Sequence, residues 1–300
     1  MSIVTERQAD VDFILRTVER EPKVFKSEEE YVEFLGDATT PLLYTDDKEK
    51  LLQRLNDEFP NVTIDRWWSV ERLKDILSCN IEIRKEAELK KQVTEIKNYK
   101  LYDDIQHVFK QIANKELYDA PLMLEWNTWR AMTMLDGGTI KANLNFDDFG
   151  KPLSTAQGNM ADIVCDYGDF KVIVEVTMAS GQRQYEMESE PVSRHLGKMK
   201  TNSDTPCYCL FVSPTINDAC VAHFFGLHHI NISYYGGKSV IIPLPLDVFQ
   251  KMLEDSYKAS YIPNPVQVKR FFEQSMQIAN SGCNEMEWYE KMKQVAVNWL

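Results

Sequence analysis

Apolar and polar positions keep a helical rhythm through residues 1–115. Val11, Ile14, Leu15 and Val18 recur three and four residues apart, and Ser27-Glu28-Glu29-Glu30 reads as a capping box ahead of Tyr31, Phe34 and Leu35. A break follows at Gly36-Asp37-Ala38-Thr39-Thr40-Pro41. Asp46-Asp47 opens a helix carrying Leu51, Leu52 and Leu55, and Ser69 caps another through Leu73, Ile76 and Leu77. A later helix covers about 121–135. There Leu122, Trp126, Trp129 and Met132 or Thr133 make a wide apolar face, with Glu125 set inside it.

After Gly137-Gly138 and a loop rich in Asn and Asp, the period drops to two. Asp162-Ile163-Val164-Cys165-Asp166 predicts one short strand, and Lys171 to Thr177, rich in β-branched residues, predicts a second. Gly168-Asp169 between them is a two-residue hairpin loop, so Tyr167 faces Phe170 and every pair sums to the same number. Asp162 then falls opposite Glu175, where directly paired residues hold their Cβ atoms about 4.5–5.5 Å apart. Two carboxylates that close repel unless a proton or a divalent cation lies between them.

Gln182 to Lys200 is helical in composition but carries Pro191, which predicts two short helices with the second starting near the proline. Tyr208–Val212 is a continuous apolar run, the mark of a central or parallel strand. Asn217–Leu227 is a helix. The runs 230–235 and 239–242 flank Gly236-Gly237 as a hairpin or short strand pair. From Leu246 to the end the chain is helical again, with a break at Pro263-Asn264-Pro265. The expected divisions are a helical region over 1–115, an α/β core over 116–245 in the order α-β-β-α-β, and a helical C-terminal extension over 246–300 packed on that core.

Composition narrows the class. At 300 residues with 44% hydrophobic and 27% charged positions the chain is an ordinary globular protein. No apolar run approaches a membrane span and no signal peptide opens it, so a cytoplasmic protein without a membrane partner is expected. The six cysteines show no CxxC pair and read as free thiols; Cys207 and Cys209 share a strand face, but zinc needs further ligands. A net charge of −12 argues against a nucleic-acid binder held by bulk electrostatics. Between Ile81 and Lys100, six cations alternate with Glu82, Glu86, Glu88 and Glu95. That segment is either a DNA-backbone contact or a solvated helix with i,i+4 ion pairs, and the interleaved acids favour the helix.

A glutamate amid Val172, Ile173, Val174 and Val176 is hard to read as incidental, because buried carboxylates are rare unless paired or metal-bound. Glu188 and His195 lie seven residues apart, two turns of an unbroken helix. Their bland roles are an ion pair with Arg194 or Lys198 for Glu188 and a capping or satisfied imidazole for His195. Glu125, beside two tryptophans, is ordinarily an exposed edge acid.

Asp162, twelve residues, then Glu175-Val176-Thr177 resembles the PD-(D/E)XK nuclease signature, with Thr177 where a lysine usually stands. The stretches LEWNTW (124–129), GNMADI (158–163), VEVT (174–177), QYEMESEPVSRH (184–195), CLFVSPTIN (209–217) and IIPLPLDVF (241–249) are similar to the AlwI-type, type IIS restriction and nicking endonucleases, which cut DNA a fixed distance from an asymmetric site. Weaker similarity reaches 27–43 and the final NWL.

This resemblance implies an α/β PD-(D/E)XK restriction-endonuclease-like core, a mixed central sheet flanked by helices, with helical N- and C-terminal extensions. It implies a Mg²⁺-dependent DNA endonuclease cleavage domain or subunit, with Mn²⁺ as a substitute. The catalytic set carried over is Glu125, Asp162, Glu175, Glu188 and His195, with Asp162, Glu175 and Glu125 on the metal. Thr177 cannot supply a lysine's charge, so water activation falls to the metal, His195 or another group; ExT is usual in the family. The chain resembles linker plus cleavage domain, either excised or a natural subunit. Its implied partners are double-stranded DNA, a DNA-recognition domain or subunit, and a second nuclease subunit for the other strand. The competing reading is a degenerate nuclease fold serving DNA binding or assembly.

Overall fold

The computed structural model describes residues 48–135, 137–155, 158–259 and 265–300. The expected helix over Val11–Val18, the Ser27 capping box and the break at 36–41 lie outside these residues. In chain order the elements are α1 (Lys48–Glu58), α2 (Val70–Lys97), α3 (Tyr102–Ala113), α4 (Ala120–Met134), β1 (Thr139–Ala142), β2 (Leu144–Phe146), β3 (Pro152–Thr155), β4 (Ile163–Asp166), β5 (Lys171–Val176), α5 (Gly181–Thr201), β6 (Cys207–Ser213), α6 (Asp218–His229), β7 (Ile241–Pro245), α7 (Leu246–Lys258), α8 (Pro265–Ala279) and α9 (Glu285–Val297). Two compact units result: the described part of Met1–Gln92 with Asn145–Ser154, and Val93–Leu144 with Thr155–Leu300.

The first unit is built on α1 and the first part of α2. Leu51, Leu55, Leu73 and Leu77 form its core, with Phe59, Ile64 and Trp68 packed on it. Ser69 caps α2, its hydroxyl accepting the Arg72 N–H at 3.3 Å. Farther along, Lys85 pairs with Glu82 and Lys91 with Glu88, while Arg84 reaches Glu58 and Asp148. The charged stretch is thus an ion-paired helix, with these two intrahelical pairs at i,i+3.

In the second unit a five-stranded sheet runs β1-β4-β5-β6-β7. β1, β4 and β5 are antiparallel, and β5, β6 and β7 are parallel, so the sheet is mixed. The hairpin has the expected register: Ile163 faces Val174, Asp166 faces Lys171, and the Tyr167 N–H donates to Phe170 O at 3.1 Å. Gly168 turns the loop at φ +84°, a conformation that costs glycine nothing. Every residue of β6 is buried, as its continuous apolar run predicts for a central strand. Ile173, Cys209, Phe211 and Ile241 meet Val192 and Leu196 of α5 and Phe224 of α6 on one face of the sheet. On the other, Leu210 lies among Met132 of α4, Phe249 and Met252 of α7, and Trp299. The last helix belongs to the same unit, with Trp288 against Phe225 and His228 of α6.

Three expectations are corrected. The polar loop before the hairpin contains β1, an edge strand whose sequence, Thr-Ile-Lys-Ala, is half exposed and alternates polar and apolar over only four residues, with Ile140 its one large apolar side chain. Residues 230–235 are no strand: Ser233–Tyr235 is a 3₁₀ turn, Ile232 makes only an isolated bridge to Gly237, and the strand that follows pairs in parallel with β6. Finally, α5 runs unbroken through Pro191. An internal proline costs a helix about 3 kcal/mol. Burial of Val192 and Leu196 against the sheet offsets this, at roughly 1.5–3 kcal/mol per side chain.

Candidate active site

Glu175 is the next-to-last residue of β5 and shares the parity of Ile173, so its side chain enters the face that α5 covers. It is only 6% exposed. The hairpin register, continued one residue beyond β4, sets Asp162 opposite it. Asp162 Oδ2 accepts the Val176 N–H at 2.8 Å, which ties the two strand ends together. Burial is the first cause holding the Asp162 pKa well above the ordinary carboxylate range; the charge of Glu175 comes next, and the Val176 amide offsets part of the shift. Glu175 is raised by burial, then by Glu188 and Glu125, against a smaller opposing pull from Arg194.

Because α5 is continuous, Glu188 and His195 do share a face, and both turn toward β5. Glu188 Oε1 accepts the Thr177 hydroxyl at 2.7 Å. His195 Nδ1 stands 2.8 Å from Glu175 Oε1, and its Nε2 is buried without a hydrogen-bond partner. Burial, then Arg194 and Lys198, lower the His195 pKa. Burial thus favours the neutral form of both His195 and Glu175, and without a cation their contact is a neutral hydrogen bond rather than an ion pair.

Glu125, half-buried on α4, lines a cleft of about 540 Å³ together with Thr177, Ser180, Arg183, Met187 and Glu188. All five residues singled out from the sequence therefore gather at the carboxyl end of β5. Thr177 has its hydroxyl committed: it donates to Glu188 and accepts the Ala179 N–H at 3.0 Å.

Sequence reasoning assigned no role to the support beneath this group. Gln184 is fully buried; its amide donors reach Ala179 O, Ser213 Oγ and Thr215 O at 2.8–2.9 Å, and its oxygen accepts the Asn217 N–H at 2.7 Å. It binds the loops after β5 and β6 to the first turn of α5. The available signal was its place one helical turn ahead of Glu188. Arg183, in the cleft wall, had no signal beyond its position in that first turn.

The donor set is one of hard oxygens, whose mutual repulsion a divalent cation relieves, and this chemistry fits Mg²⁺ or Mn²⁺. Among the described residues, however, no three His, Cys, Asp or Glu side chains converge on one point. One oxygen of Asp162 is held by the Val176 amide and one of Glu175 by His195, which leaves the second oxygen of each carboxylate as the donor a cation would use.

The profile of the AlwI restriction endonuclease family matches residues 28–252. No curated protein matches the chain by sequence. Among solved structures, the small subunit of the heterodimeric restriction endonuclease R.BspD6I is similar at a TM-score of 0.53 and 22% identity, over 67% of this chain and 98% of that one. At that identity the likeness speaks for the fold. Among the described residues, no helix is long and apolar enough to cross a membrane.

Proposed function

The chain belongs to the AlwI restriction endonuclease family, and from that premise we propose that it is a type IIS cleavage subunit of the PD-(D/E)XK kind. It hydrolyses DNA phosphodiester bonds with Mg²⁺ or Mn²⁺. The observation that carries this reading is the buried opposition of Asp162 and Glu175 across the hairpin, with Glu188 and Glu125 adding to the repulsion.

Asp162, Glu175 and Glu125 would hold the cation. A divalent ion held there would acidify water and neutralise charge developing on the phosphate. Glu188, fixed by Thr177, orients the attacking water. His195 keeps Glu175 in place through Nδ1, leaving Nε2 to move a proton or contact phosphate. With Thr177 bound to Glu188, no side chain at the lysine position competes for these roles.

Recognition of sequence is assigned to another domain or chain, and cutting of the opposite strand to a second nuclease subunit. The fold match to the small subunit of a heterodimeric restriction endonuclease supports a partner subunit. A second reading, a DNA-binding or assembly subunit without cleavage, draws on the lack of three converged ligands among the described residues. One assay separates them. Supercoiled plasmid should be nicked in Mg²⁺ or Mn²⁺ and not in EDTA, and Asp162→Asn or Glu175→Gln should lower the rate at least about a thousandfold. Near-wild-type cleavage by either variant would sink the site assignment. No metal-dependent nicking in any partner context would favour the second reading.

A further inference from the structure

We propose that the exposed edge of α5 is the track for one strand of the DNA duplex, whose phosphates are contacted by Arg183, Arg194 and Lys198. This rests on the nuclease reading of the neighbouring acids and adds where the substrate lies.

The first argument is helical geometry. At about 100° per residue, positions 183, 187, 190, 194 and 198 fall within a sector of roughly 80°, while Glu188 and His195 centre about 100° farther round. One helix thus offers two adjoining faces, an acid-and-imidazole face turned to β5 and an edge carrying cations. From Arg183 to Lys198 the rise is about 22 Å, which matches roughly six nucleotides of one strand at about 3.4 Å each.

The second argument is electrostatic. Arg183 lines the cleft that Glu125 and Glu188 also line. Arg194 acts on Glu175, and Arg194 with Lys198 acts on His195, so both cations stand beside the site instead of elsewhere on the surface. The edge carries three cations against Glu190 alone, a local excess of positive charge in a chain of net charge −12. The fully buried face of the same helix carries no charge.

Local bonds hold two of the cations in place. Arg194 pairs with Glu190 at 3.1 Å and donates to the Asn159 side chain, and Lys198 Nζ lies 3.3 Å from Asn159 O. Asn159, at φ +73°, stands three residues before Asp162. A phosphate on this edge replaces Glu190 as the partner of Arg194.

A purely structural role, pinning the Asn159 turn, predicts something different, and the salt dependence of binding separates the two. Binding of a labelled duplex to the full chain is measured by fluorescence anisotropy in EDTA, from low to physiological salt. Arg183→Gln, Arg194→Gln and Lys198→Gln should each weaken binding about threefold or more and flatten the slope of log K against log salt by about 0.9. Glu190→Gln should tighten it. Lys293→Gln on α9 makes the same charge change elsewhere and should do neither. Edge variants that match Lys293→Gln overturn the proposal. So does weaker binding at an unchanged salt slope, or a wild type with no salt-sensitive binding. Plasmid nicking by the same proteins keeps the readings apart. Metal-dependent nicking with unchanged slopes rejects the track alone; lost slopes without any nicking retain the track and reject the cleavage reading.

Discussion

Helix α4 carries two charged residues one and a half turns apart, and the regions around them are built in opposite ways. Arg130, 2% exposed, donates to Asn127 Oδ1 at 3.1 Å, pairs with Asp104, and lies over the Trp126 ring at 4.3 Å. Burial lowers its pKa and Asp104 pulls it back. Glu125 lines a cleft with Glu188 and acts on Glu175, which faces Asp162, a group in which burial and like charge push the same way. A buried charge by itself is therefore no sign of function. One region satisfies its cation with acceptors and an aromatic face, and in the other burial and like charge outweigh the pull of the nearby Arg194 on Glu175.

The sharpest test of that contrast is a pair of substitutions. Arg130→Met should cost about 2–4 kcal/mol of stability in chemical denaturation, through lost charged hydrogen bonds and imperfect packing. Cleavage per folded molecule should stay near wild type. Asp162→Asn removes charge and little volume, so it should leave the metal-free melting temperature unchanged or higher while cleavage disappears. Equal destabilisation by the two substitutions would erase the distinction.

How much of this was legible in the sequence follows from the range of the interactions. The Asp162–Glu175 opposition could be read because a two-residue turn determines the register of the whole hairpin, and the structure keeps that register. The shared face of Glu188 and His195 depended on helix continuity, which local reasoning doubted at Pro191 and which packing of Val192 and Leu196 restores. β1 was missed because its polar–apolar alternation spans only four residues and includes one large apolar side chain, too short a signal to stand out from the loop. The Thr177–Glu188 and His195–Glu175 bonds join α5 to β5 or the residue just after it, and no spacing rule predicts which side chains meet across a helix–sheet contact. Arg130, partnered from α3 by Asp104, was invisible for the same reason.

A smaller effect tests the satisfied side of the comparison where it is incomplete. His228 on α6 is 4% exposed, lies 5.1 Å from the Trp288 ring centroid, and makes no hydrogen bond through either ring nitrogen. Burial pushes its pKa down from 6.5 to about 4, with the nearby Ile241 backbone offsetting only part of the shift. The folded value lies below the unfolded one, so the unfolded chain binds the extra proton in that window. Stability from this residue is fully present above about pH 6.5 and is lost as pH falls toward 4. At pH 5 the loss should be about 2 kcal/mol relative to pH 8. His228→Leu should remove that component, measured as the difference between wild-type and variant denaturation curves at the two pH values. Parallel pH profiles would mean that the imidazole is solvated or partnered in solution.

The smallest effect concerns a side-chain hydroxyl that donates to the acid group. Thr177 donates to Glu188 at 2.7 Å and also accepts the Ala179 N–H, so its hydroxyl serves both a carboxylate and the turn into α5. Thr177→Val keeps the shape and removes both bonds, at an expected stability cost of about 1 kcal/mol. If the bond serves only the turn, cleavage should fall no more than the folded fraction does. If it aims Glu188 at the metal or the attacking water, the rate should fall roughly ten- to a hundredfold, the usual effect of removing a partner of a ligating carboxylate. Thr177→Ser, which retains the hydroxyl, should recover most of the rate. Cleavage by Thr177→Val at the wild-type rate would return Thr177 to the satisfied, structural class that Arg130 represents, and would leave Glu188 without a demonstrated role.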